Sequence, residues 1–299
     1  VRATAELKAY QEAEDSPEAA ESIPLLKRGD IERKTPVKLC MRREIREGME
    51  ILHEDYATNG IAYLTLLFDL KKVPDALIPY LGILKSVLGS IRTEHYDHTE
   101  LFHEINGNTG GLSCGLQVFP NREQPEEFRR MFGVRVKYLY PRQQFVFDMV
   151  REILLTSRLE DGKRLREILS SMKGRMQASI PAAGHQSASA RALSYQSPMY
   201  AWHERTVGIT FYRLLEDLET HFEEKQEELT GKLKLLMKYV FRPENMTVSI
   251  TADREGLSGL AEEALSLRKA LCTEPLAPGD TVFRPEQKKE AFKTSGQVQ

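Results

Sequence analysis

His203 and Glu204 carry the first suggestion of chemistry in this chain. They open the stretch His-Glu-Arg-Thr-Val at 203–207, the first two places of an H-E-x-x-H arrangement. In that arrangement two histidines one helical turn apart hold zinc while the glutamate activates its water. The fifth place here holds Val207. Catalytic zinc needs three protein ligands and an open position for water, and nothing nearby supplies the set. His185 adds a second ligand only if chain breaks at Gly184 and Pro198 fold it back onto His203. The residues therefore read as a hydrogen-bonded histidine beside a glutamate.

A second histidine-rich stretch, HYDHTELFHEI at 95–105, places His95, His98 and His103 beside Glu100 and Glu104. Its spacing fits a helix start better than a metal cluster. Asp97 and Glu100 stand as a cap and its third-residue partner, each able to accept from the other's backbone N–H, with Tyr96 and Leu101 placed as a hydrophobic staple around them. His98 and His103 are five apart and do not share a helical face. Gly107, Gly110 and Gly111 are then expected to end the helix. The Gly-Asn-Thr-Gly-Gly run at 107–111 lacks the Gly-Lys-Ser/Thr of a phosphate loop and follows a helix rather than a strand. Serines at 187, 194 and 197 sit in no nucleophile elbow.

These residues must be positioned by regular elements. Strands are expected at 37–42, 49–54, 60–70, 111–119, 133–140 and 246–252. The run GIAYLTLLFDL at 60–70 is apolar on both faces and reads as a central strand covered on each side. Leu112, Cys114, Leu116 and Val118 alternate along one strand, and Val134, Val136, Tyr138 and Tyr140 along the other. With a charged loop through 120–132, these two read as antiparallel neighbours. Helices are expected at 75–91, 142–158, 161–180, 186–195, 198–241 and 255–270. In the longest, Val207, Phe211, Leu214, Leu218 and Phe222 form one stripe, so Val207 is expected to be a packing residue. Strands, then many helices, then a returning strand imply an α+β fold, a mostly antiparallel sheet with helices packed on it.

Composition narrows the classes further. The 299 residues include 41% hydrophobic and 29% charged ones, with a formal charge of −2. That is the make-up of a chain with a sizeable core and no bias toward nucleic acid. No apolar run reaches the roughly 18 residues that would span a membrane. Cys40, Cys114 and Cys272 are odd in number and far apart, which suits a reducing, cytoplasmic setting. The expected organisation is a polar arm at 1–35, an α+β domain at 36–271, and at 272–299 a linker and the first strand of a further domain. On this reading the chain is a fragment.

Residues 184–215 bring a family resemblance. Gly184, His185, Ala190, Arg191, Ala192, Ser194, Tyr195, Ser197, Pro198, Glu204, Gly208, Tyr212 and Leu214 form a pattern. It resembles that of the presequence-protease and falcilysin branch of the pitrilysin/insulinase zinc metallopeptidases. The opening ELKAYQEAEDSPEAAESIPLLKRGDI is similar to that family's linker between halves. NTGGLSCGL at 108–116 is similar to a strand entry, and FKTSGQVQ at 292–299 to the first strand of its last domain.

The resemblance implies the third of four homologous domains, arranged as two halves around a peptide-cutting chamber. Zinc in that family sits only in the first domain, in an inverted H-x-x-E-H motif. By that matching Leu81 and Lys85 stand where the two ligand histidines would be, and Leu84 where the glutamate would be. The implied chain is thus inactive by itself. It binds no cofactor, and zinc lies in the first domain of the parent enzyme. No catalytic, metal-binding or substrate-binding residue is assigned to it. Its implied partners are the catalytic N-terminal half and C-terminal domain of the same polypeptide, and peptide substrates. Nucleic acid and membrane are not among them. If peptide is bound, an exposed sheet edge is the expected place. Two alternatives stay open: a structural core subunit of a larger assembly, and an independent zinc hydrolase using His95, His98, His103, His185 or His203.

Overall fold

The computed structural model describes residues 2–31, 41–124, 126–279, 283–286 and 288–293. They fall into two compact units, 1–39 and 40–299. The first carries two exposed helices, α1 (Arg2–Glu12) and α2 (Pro17–Glu21). Ser16 caps α2 by accepting from the Ala19 N–H at 3.2 Å, and Pro17 occupies the first turn, where its missing N–H has no intrahelical partner to lose.

Among the described residues, the second unit is built on six strands: β1 (Met41–Arg46), β2 (Met49–Asp55), β3 (Ile61–Asp69), β4 (Leu112–Pro120), β5 (Phe128–Leu139) and β6 (Met246–Ala252). They pair in the order β1-β2-β6-β3-β5-β4. Of these pairings β2 with β6 is parallel, and the other four are antiparallel. Residues 37–40 of the expected first strand, Cys40 with them, lie outside the described residues, as do 294–299 of the strand expected at the end. The β1–β2 turn is two residues long, with Glu47 and Gly48 at φ 47° and 74°. Positive φ at both positions matches the right-handed twist of a hairpin.

The helices described in this unit are α3 (Ile78–Val87), α4 (His98–Asn108), α5 (Gln143–Thr156), α6 (Gly162–Ala182), α7 (Gly184–Ser194), α8 (Pro198–Thr206), α9 (Ile209–Thr220), α10 (Phe222–Val240) and α11 (Leu260–Ala270). The fold is α+β, as the sequence pattern implies. Alternation sets the buried face of the sheet: Leu64, Leu66 and Phe68 of β3, Phe132, Val134 and Val136 of β5, and Val248 and Ile250 of β6 are all at most 4% exposed. Phe241, just after α10, stands edge-on to Phe68 and Phe132, with centroids 5.0 and 5.4 Å away. Such edge-to-face pairs add to the area they bury.

Two expectations are corrected here. β3 is interior to the sheet but not covered on both faces, because Tyr63 is 48% exposed on the other side. The single helix expected over 198–241 is three, broken at Val207–Gly208 and at His221. Val207 is the C-cap of α8 with φ −151°, so it starts no stripe. The break resets the helical phase, and α9 buries Phe211, Leu215 and Leu218 instead. Leu215, fully buried, replaces the expected Leu214, which is half-buried.

Candidate functional site

The stretch that opened the question forms the corner between α8 and α9. His203 points outward, with the ring of Tyr200 6.4 Å away. Glu204 does the opposite: it is 3% exposed. Its Oε1 accepts from Arg191 Nη1 at 2.9 Å and from the Thr210 backbone N–H at 2.9 Å. Thr210 is the second residue of α9, and the cap position is Gly208, which has no side chain to offer. The Glu204 carboxylate therefore caps α9 from the preceding helix, a placement the helix dipole also favours. Gly208 is required for this closeness. A Cβ there would lie 2.7 Å from the Glu204 carboxyl carbon and 2.8 Å from its Cα.

Arg191 extends the cluster from α7. Its Nη1 donates also to Thr210 Oγ1 at 2.8 Å, and its Nε to Tyr195 Oη at 2.9 Å and to Glu290 Oε1 at 2.6 Å. The guanidinium lies 5.2 Å from the Tyr195 ring centroid, and the Phe292 ring is held between Arg191 and Arg213 at 5.9 and 5.2 Å. The Glu286 N–H donates to the Tyr195 carbonyl at 2.9 Å. Residues 283–293 therefore run along α7. Just before them, Leu276 packs on the core, and the Ala277 carbonyl accepts from Tyr239 Oη at 2.8 Å.

Beside this corner lies a cleft of about 1390 Å³. It is lined by the end of β4 and start of β5, by the α7–α8 junction, and by residues 283–288. Phe119, Phe128, Tyr195 and Trp202 supply aromatic surface among charges of both signs. Trp202 is the single tryptophan of the chain.

Known proteins match the sequence that builds this corner. Residues 1–218 match the profile of a family described as associated with peptidases of metallopeptidase family 16, subfamily C. The chain belongs to that family. It is 31% identical to "Protein HypA" of Clostridium perfringens over 98% of this chain and 30% of that protein. With "Presequence protease 1, chloroplastic/mitochondrial" of Arabidopsis thaliana the identity is 26%, over 92% of this chain and 25% of that one. The mitochondrial presequence protease of Saccharomyces cerevisiae is 28% identical over 70% and 22%. The chain thus spans less than a third of the length of each of these relatives.

As a member of this peptidase-associated family it represents a non-catalytic part of presequence-protease-like peptidases. On α3, Leu81 and Leu84 are fully buried, and burial pushes the half-buried Lys85 ammonium below its usual range. Two core leucines and a lysine cannot hold zinc or activate its water. Among the described residues no three His, Cys, Asp or Glu side chains gather to hold a metal ion. His185 and His203 are not brought into such a group, nor are His95, His98 and His103.

The 95–105 stretch is a helix start. Asp97 Oδ1 accepts from the N–H groups of Thr99 and Glu100 at 2.7 and 2.9 Å, and Glu100 Oε2 accepts from the Asp97 N–H at 2.9 Å. Leu101 is fully buried and Tyr96 packs on the core. Gly107 falls inside α4, which ends at Thr109 through a bond to the Ile105 carbonyl. His95 is tied to Glu152 of α5 through both its backbone N–H and Nδ1 at 2.9 Å.

That last pair yields a pH prediction. Burial raises the Glu152 pKa, but hydrogen bonds from the His95 N–H, Thr93, the His95 ring and Thr156 more than offset it and bring it to about 2. A carboxylate with a depressed folded pKa stabilises above its ordinary value and loses that stability as pH falls through the folded one. The acid limb of stability from pH 4.5 down to about 2 should therefore flatten in Glu152→Gln. The His95 pKa is raised, chiefly by its bond to Glu152, so its share is present below 6.5 and fades as pH rises above that. Thermal melting of the wild type and E152Q across pH 2–8 checks this, and identical acid limbs would discard the pairing.

Proposed function

We propose that this chain is a zinc-free wall of the chamber in which a larger zinc metalloendopeptidase degrades peptides. Its job is geometric: it encloses substrate and contacts the catalytic half and the C-terminal domain of the same polypeptide. Closure of such walls completes and shields a catalytic site elsewhere. The observation that carries this reading is α3, where Leu81, Leu84 and Lys85 occupy the places that the family resemblance matches to two ligands and a catalytic glutamate. The leucines there are packed into the core. A cytosolic setting belongs to the same proposal, supported by Cys114 and Cys272, which form no disulfide.

Two measurements test it. After chelation, zinc re-addition and extensive dialysis, elemental analysis should find close to no zinc per chain; one tightly held zinc would overturn the inert reading. A longer protein containing this chain should hydrolyse unstructured peptides, whereas the chain by itself should not. A longer protein that assembles with others but cleaves nothing would transfer the chain to the structural-subunit class.

A further inference from the structure

We propose that the cleft beside the Arg191–Glu204 corner is a peptide-binding site of this domain, receiving an extended segment with a large apolar side chain. This rests on the chamber-wall reading and adds a place where that wall holds its substrate. Four observations point the same way.

The cleft of about 1390 Å³ is larger than the roughly 300–1,000 Å³ that suits a compact small molecule, so it fits a length of chain. Its lining mixes the aromatic rings of Phe119, Phe128 and Trp202 with cations and carboxylates side by side. That mixture matches a polypeptide better than a ligand of one charge. β4, whose last residues Phe119 and Pro120 line the cleft, is the terminal strand of the sheet and is paired only with β5. An extended peptide can follow such an edge through backbone hydrogen bonds.

The fourth observation is Trp202. It is 5% exposed, and its indole N–H has no acceptor among the described residues. A buried donor of this kind normally finds a partner, and a peptide carbonyl is the acceptor that every residue of an extended segment carries. Arg191 steadies the surroundings, holding α7, the α9 terminus and Glu290 together. Residues 283–288 line the cleft as part of the same arrangement.

The single tryptophan makes the test direct, because Trp202 emission reports only on this place. The probe is an unstructured peptide of about ten residues, roughly 33 Å when extended, with a central Leu-Phe pair. Titrated into the 299-residue chain, it should shift Trp202 emission saturably with a Kd on the order of 1–100 μM. Phe119→Ala, at a ring already 45% exposed, and Phe128→Ala should each weaken binding by about tenfold or more. Phe102→Ala on α4, outside the cleft lining, should leave it unchanged.

No saturable shift, or equal affinity in the Phe119 and Phe102 variants, would overturn the proposal. So would a response to a single-stranded oligonucleotide in place of peptide. An emission change that follows protein concentration alone would assign the cleft to a second copy of this chain and reject peptide as its occupant. A longer protein that cleaves peptides while this chain fails to bind them would sink the cleft and spare the chamber wall. One that cleaves nothing would sink the chamber wall, whatever the titration gave.

Discussion

Glu204→Ala is expected to destabilise the 40–299 unit by about 3 kcal/mol, the low end of what breaking a buried ion pair does. Both partners are enclosed, with the Arg191 and Glu204 side chains 11% and 5% exposed. Removing the carboxylate leaves Arg191 with Glu290 still 2.6 Å away, so the cation is not stranded, and this holds the loss near the bottom of the range. Loss of the cap on the Thr210 N–H adds about 1 kcal/mol and keeps the effect well above that of a surface change. For a domain of this size the melting temperature should fall by roughly 6–12 °C. Glu204→Gln should lose less, because an amide oxygen can still accept from Thr210. Urea unfolding of the two variants measures the difference, and a Glu204→Ala variant within about 0.5 kcal/mol of the parent would show that the corner is not held this way.

The same glutamate shows how far the residues alone can be followed. Local signals that act within one element were legible: the Asp97–Glu100 box needed only spacing, and the alternation of β4, β5 and β6 placed their buried faces. What escaped were events decided between elements. Val207 reads as a stripe residue only if the helix continues, and whether it continues is set at Gly208. There a glycine followed by a β-branched pair is compatible with either outcome until the Glu204 carboxylate is seen to cap the new helix. Arg191 lies thirteen residues before Glu204 on a different helix, and no helical or strand period links such a pair. The one signal available was the recurrence of Arg191, Tyr195, Glu204 and Gly208 in a family pattern, which named the residues without saying what they do. The cleft was less legible still, since it draws on β4, β5, α7, α8 and residues 283–288, far apart in sequence.

The second large effect is expected at Gly82. In an exposed helix interior, glycine to alanine stabilises by up to about 1 kcal/mol, and Gly174 in α6, with nothing within 4 Å of an added Cβ, should behave in that way. Gly82→Ala should go the other way and destabilise by about 2 kcal/mol net. A Cβ at Gly82 would overlap the Thr206 carbonyl oxygen and lie 2.6 Å from Phe211 Cζ. Thr206 is fully buried and Phe211 is 2% exposed, so neither has open space to move into. The nearest obstacle is backbone, which yields only if α8 moves as a whole. Overpacking of this kind costs about 1–3 kcal/mol, and a clash with backbone belongs at the upper end, enough to exceed the propensity gain.

Comparing Gly82→Ala with Gly174→Ala by thermal melting isolates the contact, because both carry the same change in helix propensity. Equal stability in the two would remove the close approach of α3 to α8 from the account. Trp202 gives a second readout: it lies on α8, and its emission should shift in the Gly82 variant alone. The position matters because Gly82 lies between Leu81 and Leu84, on the helix where the family resemblance places a metal in the catalytic domain. Leucine there fills the core, and glycine lets the next helix close over it. Both choices serve packing at a place where metal ligation would need polar side chains open to water, so the loss of chemistry on α3 and the tight α3–α8 contact have one physical origin.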